Sequence, residues 1–246
     1  MLCKLIILQL AAHLLGDFIF QSHRWAVGKK HRAISKYHFW HALVIFVCSY
    51  LLSLDYGFFL SALILSIIHF TTDVLKSYLQ AKLKGKESFY FFIDQVIHII
   101  FIILISLTYY SYGKIEFIYD IPLEYLIIAV GFIFCAKPAN ILIKNIFTSL
   151  EISVPETSTS TEENKDLPNA GKLIGTVERF LVLALILVGQ YSAVGLIIAA
   201  KSILRFRDNQ KNEYVLVGTM LSFGIATLLG ICISLSVNIQ INRFYR

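Results

Sequence analysis

The chain alternates between long apolar runs and short polar connections. A helix needs about 20 mostly apolar residues to cross a bilayer, and eight runs approach or reach that length. They cover residues 5–20, 39–54, 58–75, 89–110, 123–143, 173–188, 193–204 and 214–237. The pattern predicts an all-α, polytopic transmembrane helix bundle of about eight spans. The turn at 189–192 is tight, so the sixth and seventh runs could instead form one broken or re-entrant hairpin.

Composition supports this class and excludes others. Hydrophobic residues make up 57% of the chain and charged residues 15%, whereas a soluble domain carries about 25% charged residues. Soluble, disordered, collagen-like and coiled-coil classes are therefore excluded. The four cysteines are scattered without a C-x-x-C pair, so we interpret them as small apolar core residues.

The positions of lysine and arginine predict the orientation. Most basic residues fall in the first, third and seventh connections, and the second and sixth contain none. Because basic connections stay in the cytoplasm, both termini are expected on the outer side of the membrane. The net charge of +6 is then a topology signal, and no nucleic-acid partner is predicted.

A hydrophilic stretch divides the chain. Residues 151–170 are acidic, rich in Ser and Thr and bounded by prolines, which predicts a flexible cytoplasmic linker. It would separate a five-span N-terminal bundle, 1–150, from a three-span C-terminal module, 171–246. All seven histidines lie in the first part.

Ionisable residues recur inside the apolar runs of the first part. A charged residue at mid-bilayer costs about 2.5–3.5 kcal/mol on insertion scales, so such residues are usually paired, hydrated or functional. Three pairs have a spacing of four, which places both side chains on one helix face where they can bind one metal ion. The predicted topology puts all of them at one cytoplasmic level, so we expect one shared pocket. The candidate metal ligands are His13, Asp17, His41, His69, Asp73, Asp94 and His98.

Imidazole and carboxylate ligands favour Zn as the divalent metal, with Mn or Fe as alternatives. Seven ligands exceed the needs of one tetrahedral Zn, which leaves room for two ions. Asp17, Asp73 and Asp94 are the candidate catalytic acid–base groups, and Gln21 is a candidate substrate contact. The alternative is that the His–Asp pairs are interhelical hydrogen bonds or a proton relay.

A second group of charged residues lies in the last three runs. We interpret it as a substrate-binding subsite for an anion or phosphate, or alternatively as cations that extend to the interface and form surface ion pairs. The group comprises Glu178, Arg179, Lys201 and Arg205. Separately, Lys137 followed by Pro138 predicts a kink in the fifth run.

Several of these segments resemble a bacterial membrane family known as domain of unknown function 3307. AHLLGDFIFQSHRW (12–25) resembles its His-x-x-x-Asp-Phe-x-x-Gln element. HFTTDVLK (69–76) and FFIDQVIH (91–98) resemble its later His–Asp and Asp-Gln-x-x-His elements. The resemblance implies a site formed by the seven candidate ligands and Gln21, but it supplies no reaction.

The leading hypothesis is a metal-dependent intramembrane hydrolase acting on a lipid-linked or membrane-bound substrate. Membrane lipids, polyprenyl phosphates and membrane peptides are the expected partners at that depth. A transporter or proton/ion channel using the same cluster as a relay or coupling-ion site is the first alternative. A non-catalytic membrane effector or sensor is the second. The sequence contains no nucleotide-binding loop, G-x-S-x-G elbow or C-x-x-C motif.

Overall fold

The structure, a computed structural model, describes residues 1–30, 34–83, 87–113, 115–152, 170–206 and 213–244. Within these ranges the chain is helical and has no strand, so the predicted all-α class is confirmed. The helices are α1 (Leu2–Leu14), α2 (His23–Lys30), α3 (Lys36–Ser53), α4 (Phe59–Lys82), α5 (Glu87–Tyr112), α6 (Leu123–Cys135), α7 (Lys137–Ser149), α8 (Ala170–Leu187), α9 (Tyr191–Phe206) and α10 (Glu213–Phe244).

Four helical segments of the described part are long and apolar enough to cross a membrane. A fifth is added if α6 and α7, which meet at an angle of 49°, are one bent span. The other helices do not satisfy length and hydropathy together, so eight crossings are not reached on these criteria. The four segments are Leu2–Phe20, Tyr56–Lys82, Glu87–Tyr112 and Leu216–Val237.

The chain divides into two compact units, Met1–Ile133 and Phe134–Arg246. In the first unit α1, α3, α4 and α5 form a ring in which each helix packs against two others, and α2 packs on α3 and α4. Of the predicted linker, residues 153–169 lie outside the described part of the chain.

One stripe along α4 shows how the interior of the first unit is built. Its buried positions recur every three or four residues, as expected for a helix with one inward face. The stripe begins with Ala62 and Leu65 and continues to His69 and Asp73. The bundle therefore has an apolar half and an ionisable half. The apolar half is the core cluster of Leu5, Phe58, Ala62, Leu65, Ile102 and Ile115.

Asp55 closes the apolar end of this bundle. Its Oδ1 accepts a hydrogen bond from Gly57 N at 2.9 Å. Its Oδ2 accepts bonds from Tyr109 Oη at 2.9 Å and Glu116 N at 3.2 Å. This buried carboxylate, which the sequence analysis did not single out, joins the α3–α4 turn to the end of α5 and the segment after it.

Asp17 lies on a π-helical segment, Leu15–Phe20, that continues α1. Such segments are rare and frequently occur at functional sites. A Cβ on Gly16 would lie 2.4 Å from Ile45 Cδ1, so the small residue lets this segment approach α3 closely. The hydropathy pattern did not predict this change of helical form.

The predicted kink at Lys137–Pro138 is confirmed. The helix breaks at Ala136, and Pro138 lies in the first turn of α7, where its missing N–H costs no helical hydrogen bond. In the second unit, α8 packs along α10 and also contacts α7 and α9.

Candidate functional site

The structure brings the seven candidate ligands together in the first unit. They come from α1 and its π-helical extension, α3, α4 and α5. Six are buried, and the side chain of Asp17 is 9% exposed. The helices therefore place these side chains at one level of the bundle interior, next to the apolar core cluster.

Asp17, His41 and His69 form the centre of the site. Asp17 Oδ1 lies 3.2 Å from His41 Nε2 and 3.1 Å from His69 Nε2, and the two nitrogens are 2.9 Å apart. Neither contact of Asp17 Oδ1 has hydrogen-bond geometry, and this buried oxygen has no hydrogen-bond partner in the described structure. Two ligand atoms that each lie about 2.1 Å from one metal ion, with a right or tetrahedral angle between them at the ion, are roughly 3.0–3.4 Å apart. The three atoms are therefore spaced as ligands of one ion.

His13 and His98 also adjoin the Asp17 carboxylate. His13 Nδ1 is 3.9 Å from Asp17 Oδ1, and His98 Nδ1 is 3.9 Å from Asp17 Oδ2. The His98 ring stacks on His69 with centroids 3.9 Å apart. Each residue of one group offers a ligand atom, and these atoms all lie within 4.8 Å of one another: His13, Asp17, His69 and His98. The same holds for a second group: His41, His69 and Asp73.

Asp73 and Asp94 differ from Asp17 because lysines neutralise them. Lys29 Nζ binds Asp73 Oδ2. Lys76 Nζ lies 2.8 Å from both Asp73 Oδ1 and Asp94 Oδ2. Both oxygens of Asp73 thus accept from ammonium groups, whereas no Lys or Arg of the described residues pairs with Asp17. The site has a histidine part centred on Asp17 and an ionic part centred on Asp73.

Sequence reasoning missed four residues of the site: Lys29, Thr72, Lys76 and Gln95. Lys76 and Gln95 have a local signal, since they follow Asp73 and Asp94 by three residues and one residue. Lys29 has none, because it reaches Asp73 only when α2 folds back onto α3 and α4.

Gln21 lies beside the site and binds Lys29. With its amide oriented to satisfy both partners, the side chain donates to the Asp17 main-chain oxygen at 3.1 Å and accepts from Lys29 Nζ at 2.6 Å. Gln21 therefore links the π-helical segment to α2.

His38 is buried near the site but belongs to the start of α3. Its Nδ1 accepts from Ser35 N at 3.2 Å in a capping box, and its Nε2 lies 3.1 Å from Ser77 Oγ. These contacts stabilise the helix N-terminus and its packing on α4.

A cavity of about 30 Å³ adjoins the histidines, which is room for a water molecule. It is lined by His13, His69 and His98, by Gln9 and Ser49, and by apolar side chains. A water there has the polar partners that a buried water requires.

The predicted subsite residues of the second unit have partners of their own. Lys201 pairs with Glu178, and its ammonium lies 5.2 Å from the centre of the Phe223 ring. The ion pair matches the alternative reading of this group. The side chain of Arg205 lies outside the described part.

Arg179 is 1% exposed and binds the helix break. Its Nε donates to Cys135 O at 2.8 Å and its Nη2 to Ala136 O at 3.3 Å, carbonyls at the end of α6. Further bonds go to Ser222 Oγ, Asn140 Oδ1 and Thr176 Oγ1. These contacts favour a structural role for Arg179 over a contact with a substrate anion.

Comparison with known proteins gives a match to the N-terminal part of the chain. The family model described as "Protein of unknown function (DUF3307)" matches residues 5–124. Residues 5–124 are therefore similar to this family. The DUF3307 region contains every residue of the histidine and ionic parts, which confirms the resemblance seen in the sequence. No curated protein and no solved structure matches the chain.

Replacing Lys76 with Gln is expected to destabilise the DUF3307 region. Removing one partner of a buried ion pair costs about 3–5 kcal/mol, and the 24% exposure of the Lys76 side chain places the cost near 2–3 kcal/mol. The unfolding midpoint, measured by fluorescence of Trp25 and Trp40, should fall by roughly 5–10 °C. Lys82→Gln, an exposed change on the same helix, should leave it unchanged; equal midpoints for both variants would contradict the ionic part.

Proposed function

We propose that the chain is a metal-dependent hydrolase of a membrane, with a divalent ion bound by Asp17, His41 and His69. The observation that carries this proposal is the triangle of ligand atoms with sides of 2.9, 3.1 and 3.2 Å. A carboxylate oxygen buried without a hydrogen bond is costly, and a cation there removes that cost. The His and Asp ligands favour Zn, with Mn or Fe as alternatives.

The residues around the triangle supply the other requirements of hydrolysis. A bound divalent ion activates water at neutral pH and polarises a carbonyl or phosphoryl oxygen. The cavity lined by His13, His69 and His98 has room for this water. Asp94 Oδ1 is buried without a hydrogen-bond partner among the described residues and lies 3.8 Å from His98 Nε2, so Asp94 is the proposed acid–base group.

Asp73 has a positioning role in this proposal rather than a catalytic one. Its two oxygens hold Lys29 and Lys76, and Lys76 in turn holds Asp94. The acid–base carboxylate is thereby fixed next to the histidine part. The partial exposure of Lys76 also lets its ammonium meet an anionic group of the substrate at the α2 end.

The substrate class follows from the depth of the site. We place the α2 end at the cytoplasmic leaflet of a bacterial cell membrane, with about eight crossings and both termini outside. The basic connections support this orientation. Phospholipid headgroups and lipid-linked phosphates lie at that depth, so we propose a lipid-linked or membrane-bound substrate.

Transport is the second candidate, and one observation favours it. Beyond the histidines, Gln9 Nε2 donates to Ser49 O at 3.0 Å and Ser49 Oγ donates to Gln9 Oε1 at 2.5 Å, which extends the polar interior away from α2. The next layer is the apolar core cluster, in which Leu5 and Phe58 are 0% exposed. This layer opposes a continuous polar path, and we therefore rank hydrolysis first.

Metal content and two activity assays test the proposal. The full chain in detergent should contain Zn, Mn or Fe at one equivalent or more by mass spectrometry. In vesicles of phosphatidylglycerol and phosphatidylethanolamine containing a polyprenyl diphosphate, it should release phosphate or cleaved lipid, and a chelator should stop this release. Metal-free protein that conducts protons in the same vesicles would overturn hydrolysis in favour of transport. Metal-free protein with neither activity would overturn both.

A further inference from the structure

We infer that the site binds two metal ions and that Asp17 bridges them. This inference rests on the proposed function and extends it. The first ion is the one between Asp17 Oδ1, His41 and His69. The second lies at Asp17 Oδ2 and is bound by His98 Nδ1. His13, whose Nδ1 lies 3.9 Å from the other oxygen Oδ1, is its further ligand.

The two oxygens of Asp17 face different donors. Oδ1 is in contact with His41 Nε2 and His69 Nε2, and it also faces His13 Nδ1 at 3.9 Å. Oδ2 faces His98 Nδ1 at 3.9 Å and accepts a long bond from Gln95 Nε2 at 3.4 Å. A carboxylate with separate imidazole donors on each oxygen is suited to bridge two ions, which in hydrolytic two-metal sites are about 3.5–4 Å apart.

The hydrogen bonds of His98 fix the tautomer that binds metal. Thr72 Oγ1 lies 2.9 Å from His69 O and 3.0 Å from Ile68 O, and it gives its proton to these carbonyls. It must then accept from His98 Nε2, 2.7 Å away. His98 Nδ1 is left with a free lone pair, buried and without a hydrogen-bond partner among the described residues. Outer hydrogen bonds of this kind orient metal-binding histidines.

Gln95 fixes the tautomer of His13 in the same way. Its Nε2 donates toward Asp17 Oδ2 and Asp94 Oδ2, both at 3.4 Å, so its Oε1 is the acceptor for His13 Nε2 at 3.2 Å. His13 Nδ1 then carries the lone pair and faces the Asp17 carboxylate at 3.9 Å. A shift of roughly 0.5 Å would bring each Nδ1 atom to ligand spacing from the Asp17 oxygen that it faces.

Charge complements this arrangement. The three carboxylates and two lysines of the site sum to −1 with neutral histidines, and two divalent ions change this to +3. A site of that charge attracts an anionic group such as a phosphate ester, and two ions stabilise the attacking and leaving oxygens of its hydrolysis.

Manganese titration tests the inference on the full chain in detergent. Metal-stripped protein should bind two Mn²⁺ per chain and give the electron paramagnetic resonance signal of an exchange-coupled pair. His98→Gln should bind one Mn²⁺ and lose the coupling, with His13→Gln as a second variant of the same position. His23→Gln, an exposed change on α2, should behave as wild type.

The outcomes separate this inference from the proposed function. One Mn²⁺ in the wild type, or two in both His98→Gln and His13→Gln, would overturn the second position and leave the single-ion hydrolase intact. No bound Mn²⁺, Zn or Fe in the wild type would overturn both.

Discussion

The Asp17→Asn protein is expected to purify with less than one-tenth of the wild-type metal and with no hydrolytic activity. Among the described residues, Asp17 is the one carboxylate of the site that has no lysine partner. Its Oδ1 contacts two histidines. An amide keeps the shape but removes the charge and one strong ligand. Loss of a residue that only orients a ligand costs 10–100-fold in affinity, so loss of the ligand itself should exceed about 100-fold.

Asp73→Asn and Asp120→Asn are the matched comparisons. Asp73 is held by two lysines, so its amide should retain most of the metal while lowering the unfolding midpoint. Asp120 is an exposed carboxylate whose pKa is lowered by the Lys4 ammonium at 2.5 Å, and its change should affect neither metal nor activity. Metal loss in Asp73→Asn equal to that in Asp17→Asn would contradict the division into histidine and ionic parts.

The Arg179→Ala protein should open locally at the helix break. The change removes five hydrogen bonds and leaves the Cys135 and Ala136 carbonyls without these donors. Each buried polar group left unsatisfied costs about 1–3 kcal/mol, so we expect a total near 3–5 kcal/mol. Cys135 is 0% exposed, so the measurement is its alkylation rate in a chain from which the other cysteines are removed. Arg179→Ala should raise this rate at least ~100-fold over the same chain with Arg179.

A second single-cysteine chain supplies the control. Cys48 is buried in the first unit, so its alkylation should be unchanged by Arg179→Ala. Lys144→Ala, an exposed change on α7, should leave both thiols protected. Unchanged Cys135 protection in Arg179→Ala would show that Arg179 does not hold the break.

The apolar runs predicted the helices of the fold well where length and hydropathy agree, as in α1, α4, α5 and α10. The break after Cys135 was also readable, because Pro138 cannot continue a helix without losing a hydrogen bond. Hydropathy gave no sign of the π-helical segment at Asp17, since a change from α to π leaves composition unaltered.

The spacing of His and Asp predicted which residues would meet, because side chains four apart share a helix face. It could not rank the three carboxylates, which look alike in sequence. Their difference depends on Lys29 and Lys76, and the position of Lys29 is set by α2 packing on neighbouring helices. The sequence could not assign Arg179 for a similar reason: a buried arginine that binds carbonyls and one that binds a substrate have the same sequence signature.

The core cluster around Leu5 and Phe58 closes one end of the interior. A substrate that enters at the α2 end would be converted to products that have to leave by the same opening. For the proposed hydrolase, cleaved lipid that remained at this opening would obstruct the next turnover. Its steady-state rate should then show competitive product inhibition and depend on how readily the surrounding leaflet dilutes that lipid.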